Sequence, residues 1–314
     1  MDKIRVAVLM GGQSSEYEVS IQSGKAVCDN LNKERYEIIP VYIGRDGEWS
    51  MPFEDLLDKA DIAFLALHGE YGEDGTVQQF LDNIGMPYTG SSARASALGM
   101  NKLACSKLFS AYGLGVPEWT EITRYDDWAH FRSPFGYPVV VKPSDRGSSV
   151  GVNIVRNEFG MGEAFCKVFE LSRNAMVQKY VSGREVTCGV LEDEKGDIAL
   201  PPTEVFPLNA DFFDYGSKYN SGASKSITPA PITRTETEEV QRSAVSAHQI
   251  IGASGASRTD MIIGNDGVVY LLEINTLPGL LPTSPIIEEA NYAGFSTSAL
   301  LDKIIASAIR KRNR

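Results

Sequence analysis

Residues 258–279 read Arg-Thr-Asp-Met-Ile-Ile-Gly-Asn-Asp-Gly-Val-Val-Tyr-Leu-Leu-Glu-Ile-Asn-Thr-Leu-Pro-Gly. Two apolar, β-branched runs flank Gly264-Asn265-Asp266-Gly267, so the stretch predicts a β-hairpin. With Ile263 and Val268 flanking the turn, Asp260 falls opposite Leu271. Side chains alternate along a strand, which puts Asp260, Leu271, Glu273 and Asn275 on one face. Arg258, two residues before Asp260, joins them. The oxygen-bearing side chains of Asp260, Glu273 and Asn275 then converge with no His or Cys beside them, a set suited to Mg²⁺. A surface hairpin with solvated acids is the plainer alternative. Glu273 argues against it, because a carboxylate inside an apolar strand needs a partner.

The chain has 314 residues, enough for two or three modules, and an ordinary globular composition of 43% hydrophobic and 23% charged residues. A net charge of −11 without a long basic stretch speaks against nucleic acid as a main partner. No stretch has the length of a membrane span. The N-terminus lacks a signal-peptide pattern, and Cys28, Cys105, Cys166 and Cys188 are scattered without Cys-x-x-Cys. Both features predict reduced thiols in a cytoplasmic protein. The basic end, from Ile309 to Arg314, reads as a solvated helix terminus.

Residues 1–97 read as a small α/β module. Ile4 to Met10 forms a strand, Gly11 to Glu16 a loop, and a helix follows to about Leu31, with a capping box over Ser15 to Glu18. Tyr36–Ile43 and Ile62–Leu67 are further strands. The unit is Rossmann-like but lacks Gly-x-Gly-x-x-Gly, so dinucleotide binding has little support. Residues 98–182 form a second module. A helix runs from Met100 to about Tyr112. Strands at Tyr137–Lys142 and Val152–Val155 enclose the Gly/Ser loop Ser144–Gly151, whose backbone N–H groups and hydroxyls can cradle a polyphosphate. Lys142 ends an apolar strand and needs a counter-charge. Residues 183–314 form a third module, with a strand at Glu185–Leu191, another near Ile198, a polar loop over 209–230 of the length typical of lids, and the hairpin. After the hairpin, the Gly279 backbone N–H can face an oxyanion.

Taken in order, these motifs resemble the ATP-grasp ligases, and in particular the D-alanine–D-alanine ligase family. The resemblance is carried by Arg258-x-Asp260, Leu271-Leu-Glu-x-Asn-Thr-x-Pro-Gly279, Gly11-Gly-x-Ser-x-Glu-x-x-Val-Ser20 and Val141-Lys-Pro-Ser-x-x-Gly-Ser-Ser-Val-Gly151. It covers nearly the whole chain. It implies an α/β ATP-grasp fold in three modules, with ATP held between the second and third. It also implies Mg²⁺ or Mn²⁺ as two ions on Asp260, Glu273 and Asn275, and a homodimer. The reaction implied is D-alanine plus D-alanine plus ATP giving D-alanyl-D-alanine, ADP and phosphate through an acyl phosphate, for peptidoglycan precursors.

Residue by residue, the resemblance assigns Glu16 to the ammonium of the first D-alanine and His68 to the donor pocket. Lys102 and Lys142 match phosphate-contacting lysines. Gln178, Lys179, Tyr180 and Val181 match the linker that holds adenine, and Glu185 the residue that binds ribose. Ser148 and Tyr219 match partners of Glu16 in a cluster closing the site. Lys218 would neutralise carboxylate or phosphate charge, Arg258 and Gly279 would stabilise an oxyanion, and Ser284 would bind the acceptor's carboxylate. Three positions depart from the family. Gln178 stands where a Glu is common; its amide oxygen can accept from the adenine amino group, and its NH₂ adds a donor. Leu281 replaces a more usual polar residue, and Pro285 a Leu. Tyr219 favours an amine acceptor over D-lactate, while Leu281 and Pro285 leave D-serine or D-lactate open. A non-catalytic ATP-binding regulator is the alternative from another class.

Overall fold

In the computed structural model, which describes residues 3–147, 150–207 and 224–312, three sheets follow one another along the chain. The first contains β1 (Ile4–Gly11), β2 (Tyr36–Ile43) and β3 (Ile62–Leu65), all parallel in the order β2-β1-β3. Their near-continuous apolar runs suit a parallel sheet covered on both faces, and every residue of β3 is buried. Helices α1 (Tyr17–Asn30), α2 (Phe53–Lys59), α3 (Thr76–Ile84) and α4 (Ala93–Met100) accompany it. Between β1 and α1 the chain turns sharply at Gly11, where φ is +94° and a Cβ would lie 2.3 Å from the Ile43 carbonyl oxygen. The capping box expected at Ser15 is absent. Glu16 is the N-cap of α1, without a side-chain cap bond. The Ser14 hydroxyl receives the Glu16 N–H instead, at 3.1 Å.

The second sheet is antiparallel, in the order β4-β7-β5-β6. It consists of β4 (Trp119–Thr123), β5 (Val139–Pro143), β6 (Asn153–Val155) and β7 (Asn174–Lys179), backed by α6 (Met161–Leu171). Helix α5 (Lys102–Ala111) precedes it and is capped by Asn101, whose side chain accepts from the Ala104 N–H at 3.0 Å. Val139, Val141, Phe165, Val168 and Val177 form its core.

The third sheet holds β8 (Gly183–Leu191), β9 (Ile198–Ala199), β10 (Thr203–Pro207), β11 (Ser224–Ile227), β12 (Ala256–Gly264) and β13 (Val269–Asn275). Its order is β11-β10-β8-β12-β13, with β9 on β8. Strand β11 corrects the expected polar loop over 209–230, since its residues pair with β10. Helix α7 (Arg234–Ile251) packs on this sheet behind a full capping box, Thr233 with Glu236. Helices α8 (Pro285–Tyr292) and α9 (Thr297–Arg312) close the other side. A core shared by Val6, Val8 and Phe64 with Leu191, Ile286, Leu300 and Ile305 ties the first sheet to the third.

The hairpin β12–β13 forms, but in another register. Ile263 pairs with Val269, not Val268, because the Gly264 N–H closes the turn on the Val268 carbonyl. A bulge follows: Met261 pairs with Leu271 while Asp260 pairs with Glu273, leaving Leu272 as the extra residue. Leu271 therefore leaves the polar face expected for it and joins Met261 in the core.

Glu289 of α8 is fully buried, and its Oε2 accepts from the Gly189 N–H of β8 at 2.7 Å. A Cβ on residue 189 would lie 2.7 Å from that oxygen, so any larger residue would force the buried Glu289 side chain to shift. Burial pushes the Glu289 carboxyl up to about 8. Between the ordinary carboxyl range and that value the folded chain holds a proton that the unfolded chain has lost, so stability falls as pH rises. Glu289→Gln removes this loss. Its melting temperature relative to the wild type should rise from pH 5 to pH 8, by an amount on the order of a few kcal/mol of stability. An offset equal at both pH values would mean that Glu289 is ionised throughout.

Candidate active site

Two clefts meet where β8, β12 and β13 run side by side, and Glu185 and Asp260 line both. The first cleft gathers Glu16, His68 and Glu73 from loops of the first sheet, with Arg258, Asn275, Gly279 and Ser284 from the third. The second gathers Lys102, Lys142, Gln178, Lys179, Tyr180, Val181 and Glu273 around apolar Val140, Val152, Ile154, Ile262 and Leu272. Every described residue given a ligand-binding or catalytic role from the sequence lines one cleft or the other. Ser148, Lys218 and Tyr219 lie outside the described residues.

At the junction, cations and carboxylates interlock. Arg258 grips Asp260 with two nitrogens, Nε to Oδ1 at 2.9 Å and Nη2 to Oδ2 at 3.0 Å. Their neighbouring rungs put Asp260 beside Glu273 and Arg258 beside Asn275. Thr187, facing Asp260 from β8, donates its hydroxyl to Oδ1 at 2.7 Å. Lys102 reaches Glu273 Oε2 at 2.8 Å and also donates to the Arg146 carbonyl at 2.6 Å, so the start of α5 binds both the hairpin and the Gly/Ser loop. Arg146 in that loop pairs with Glu70, and its Nη2 donates to the Leu171 carbonyl at 2.8 Å.

On the first-sheet side, Glu16 is 5% exposed, and a Cβ on Gly147 would lie 3.6 Å from its Oε1. The Gly/Ser loop thus comes over the carboxylate. His68 is buried, with Nε2 2.8 Å from the Ser23 hydroxyl and Nδ1 3.4 Å from Glu73 Oε1. Burial raises the Glu73 carboxyl; the His68 bond opposes this and the charge of Glu16 adds to it. In the second cleft Lys142 is 6% exposed on β5. The Lys179 ammonium points away to Glu118 at 2.6 Å, which leaves its backbone, not its charge, for a ligand. Ser284 occupies the N-cap position of α8 without a side-chain cap bond, and its Oγ instead accepts from the Leu281 N–H at 3.1 Å. Pro285 is the first residue of that helix, where a missing N–H costs nothing.

With the Lys179 ammonium drawn off to Glu118, the carboxylates Glu16, Glu73, Glu185, Asp260 and Glu273 outnumber the remaining cations Arg258, Lys102 and Lys142. A polyphosphate would meet repulsion here unless a divalent cation came with it. Asp260, Glu273 and Asn275 supply the hard oxygens such an ion takes, with positions left for phosphate and water. The residues present therefore fit Mg²⁺. Glu73 belongs to the segment after His68 that the resemblance places at the donor pocket, though without a role of its own, and Thr187 was not assigned from the sequence. Thr187 acts through a cross-strand partner 73 residues away, which no local pattern records.

The comparisons agree along the whole chain. A family model described as D-ala D-ala ligase C-terminus matches residues 108–306, and one described as D-ala D-ala ligase N-terminus matches 5–58 and 50–91. The D-alanine–D-alanine ligase of Geobacter sulfurreducens is 39% identical over 305 residues, covering 97% of this chain and 94% of that one. That of Syntrophobacter fumaroxidans is 41% identical over 318 residues, covering 98% of each. Among solved structures, the Bacillus anthracis D-alanine–D-alanine ligase complexed with ATP matches with a TM-score of 0.83 at 34% identity, covering 100% of this chain and 99% of that one. The VanG D-Ala:D-Ser ligase of Enterococcus faecalis matches with a TM-score of 0.87 at 32% identity, covering 98% and 100%.

Replacing Thr187 by Val keeps the shape and removes the hydroxyl from Asp260. A buried bond to a charged group of this kind contributes about 1.5–3 kcal/mol, so the urea midpoint should fall accordingly. An unchanged midpoint would mean that Arg258 alone fixes the carboxylate.

Proposed function

The chain belongs to the D-alanine–D-alanine ligase family, and from that premise we propose which of its residues carry the reaction. It is an ATP-grasp ligase that joins two D-alanine molecules into D-alanyl-D-alanine while ATP becomes ADP and phosphate, a step in making peptidoglycan precursors. One observation supports the assignment of roles more than any other: the two clefts share Glu185 and Asp260, so a nucleotide's phosphates in one would reach a substrate carboxylate in the other.

A carboxylate is a poor electrophile, and phosphorylation gives it a leaving group. In our reading the first D-alanine lies in the first cleft, its ammonium on Glu16 and its surroundings fixed by His68 and Glu73. The nucleotide lies in the second cleft. Backbone groups from Gln178 to Val181 hold its base, Glu185 its ribose, and Lys102 and Lys142 its phosphates. Asp260, Glu273 and Asn275 would hold Mg²⁺ or Mn²⁺, as two ions, which neutralise charge developing on the transferred phosphoryl group. Once the acyl phosphate forms, the amine of the second D-alanine attacks its carbonyl. Arg258 and the Gly279 N–H are directed at the resulting oxyanion. Ser284 takes the second substrate's carboxylate. Ser148 and Tyr219 complete the assignment as partners of Glu16 that close the site against water, and Lys218 as a cation that neutralises carboxylate or phosphate charge.

The same reading divides the chain into a substrate module at 1–97, a nucleotide module at 98–182 and a catalytic module at 183–314, and makes the protein a cytoplasmic homodimer. Among the described residues no helix is long and apolar enough to cross a membrane.

Phosphate release with Mg-ATP should depend on D-alanine, and the product mass should be that of D-alanyl-D-alanine even with D-serine or D-lactate present. A mixed product would locate the error around Leu281 and Pro285. Glu273→Ala removes metal charge and should lower kcat by about 100-fold or more. Near-wild-type turnover would refute the metal assignment.

A further inference from the structure

Helix α8 starts beside Ser284, and its first turn is fastened to another part of the sheet by one carboxylate. The Glu288 N–H donates to the Ser284 carbonyl at 3.2 Å, so Glu288 stands one helical turn beyond Ser284. Its Oε2 accepts from two hydroxyls at 3.2 Å each, Ser226 Oγ on β11 and Thr228 Oγ1 just past the end of that strand. Residues two apart on a strand share a face, which explains why both hydroxyls reach one oxygen. Ser226 pairs with Val205 of β10, and Thr228 Oγ1 lies 2.7 Å from Thr203 Oγ1 on the same strand. Val205 lines the first cleft together with Ser284 and Pro285. Glu288 thus joins the two elements, α8 and the β10–β11 pair, that border the cleft beside Ser284.

Holding the fold together does not account for this clip. Ser226 is exposed and Glu288 half-buried, so folding largely exchanges bonds to water for these. Helix α8 is already secured by Ile286 and Ile287 in the core and by Glu289 on the Gly189 N–H. What Glu288 adds is the position of the helix start relative to β10. We propose that Glu288 is a positioning residue for the second substrate: it holds the first turn of α8 against β10–β11 and so fixes the gap between Ser284 and Val205 that the substrate's carboxylate enters. Glu288 lines neither cleft, so it acts through Ser284. The proposal rests on the reading of Ser284 given above and extends it to a residue that touches no substrate.

Dipeptide formation by the full chain, followed over a wide range of D-alanine with saturating Mg-ATP, separates the KM of the first D-alanine from that of the second. Glu288→Ala should raise the second about tenfold and leave the first, and the KM for ATP, unchanged. Glu288→Gln keeps an oxygen for both hydroxyls and should restore the wild-type value. The double variant Ser226→Ala/Thr228→Val removes the donors and should match Glu288→Ala, with no further loss when all three changes are combined. Both D-alanine KM values unchanged, or both raised alike, would make the clip merely structural and overturn the proposal, as would fully additive effects in the triple variant. Ser284→Ala is the control. If it raised the second KM and Glu288→Ala did not, the proposal alone would fall. If it left that KM unchanged, the reading of Ser284 would fall first, and this proposal with it.

Discussion

Everything at this site depends on holding two carboxylates, Asp260 and Glu273, side by side on adjacent strands. Like charges directly opposite each other destabilise a sheet, and here they face each other across one rung of a hairpin. The chain tolerates this because cations bracket the pair. Arg258 grips Asp260 from its own strand, and Lys102 reaches Glu273 from the start of α5. The bulge at Leu272 matters as much. It lets Leu271 bury in the core and still turns Glu273 into the cleft.

That constraint sets the purpose of the surrounding architecture. The second sheet has a core of its own while the first and third share one, yet all three contribute to one junction. The first sends Glu16, His68 and Glu73 from loops following its strands, where open parallel sheets present ligands. The second sends Lys142 and Gln178 from adjacent strands β5 and β7. Lys102 lies between them and bonds to both the hairpin and the Gly/Ser loop. A displaced ammonium here would disturb the metal side and the phosphate side together.

How much of this was legible beforehand depends on the range over which each feature is specified. Strand β2 was readable to the residue, since its apolar run is bounded by local signals. The hairpin was legible as an element, but its register was not. Turn chemistry gives the turn's identity, while the pairing at Gly264 and the bulge at Leu272 are decided by what Leu271 and Met261 bury against. The expected capping box failed because Ser14, not Ser15, supplies the acceptor, through a hydroxyl that also bonds to the His68 carbonyl. Thr187 and Gly189 are invisible in the sequence because their partners, Asp260 and Glu289, lie far away in it.

The excess of acid over base in the clefts looks at first like a poor design for binding a polyanion. Its logic follows from the order in which charges arrive. An amino-acid ammonium favours a carboxylate, which on the proposed assignment Glu16 would provide. On the proposed assignment a triphosphate would come with divalent metal, whose charge Asp260 and Glu273 would balance. Each ligand would thus bring charge that the clefts' own side chains do not supply, and Arg258 and Lys102 pair the acids through the chain itself. A cleft neutral in advance would bind the phosphates well but leave no reason for metal to enter with them. On the proposed assignment, the acidity of this junction would couple nucleotide binding to metal binding, with Arg258 and Lys102 keeping that acidity from unfolding the sheet that carries it.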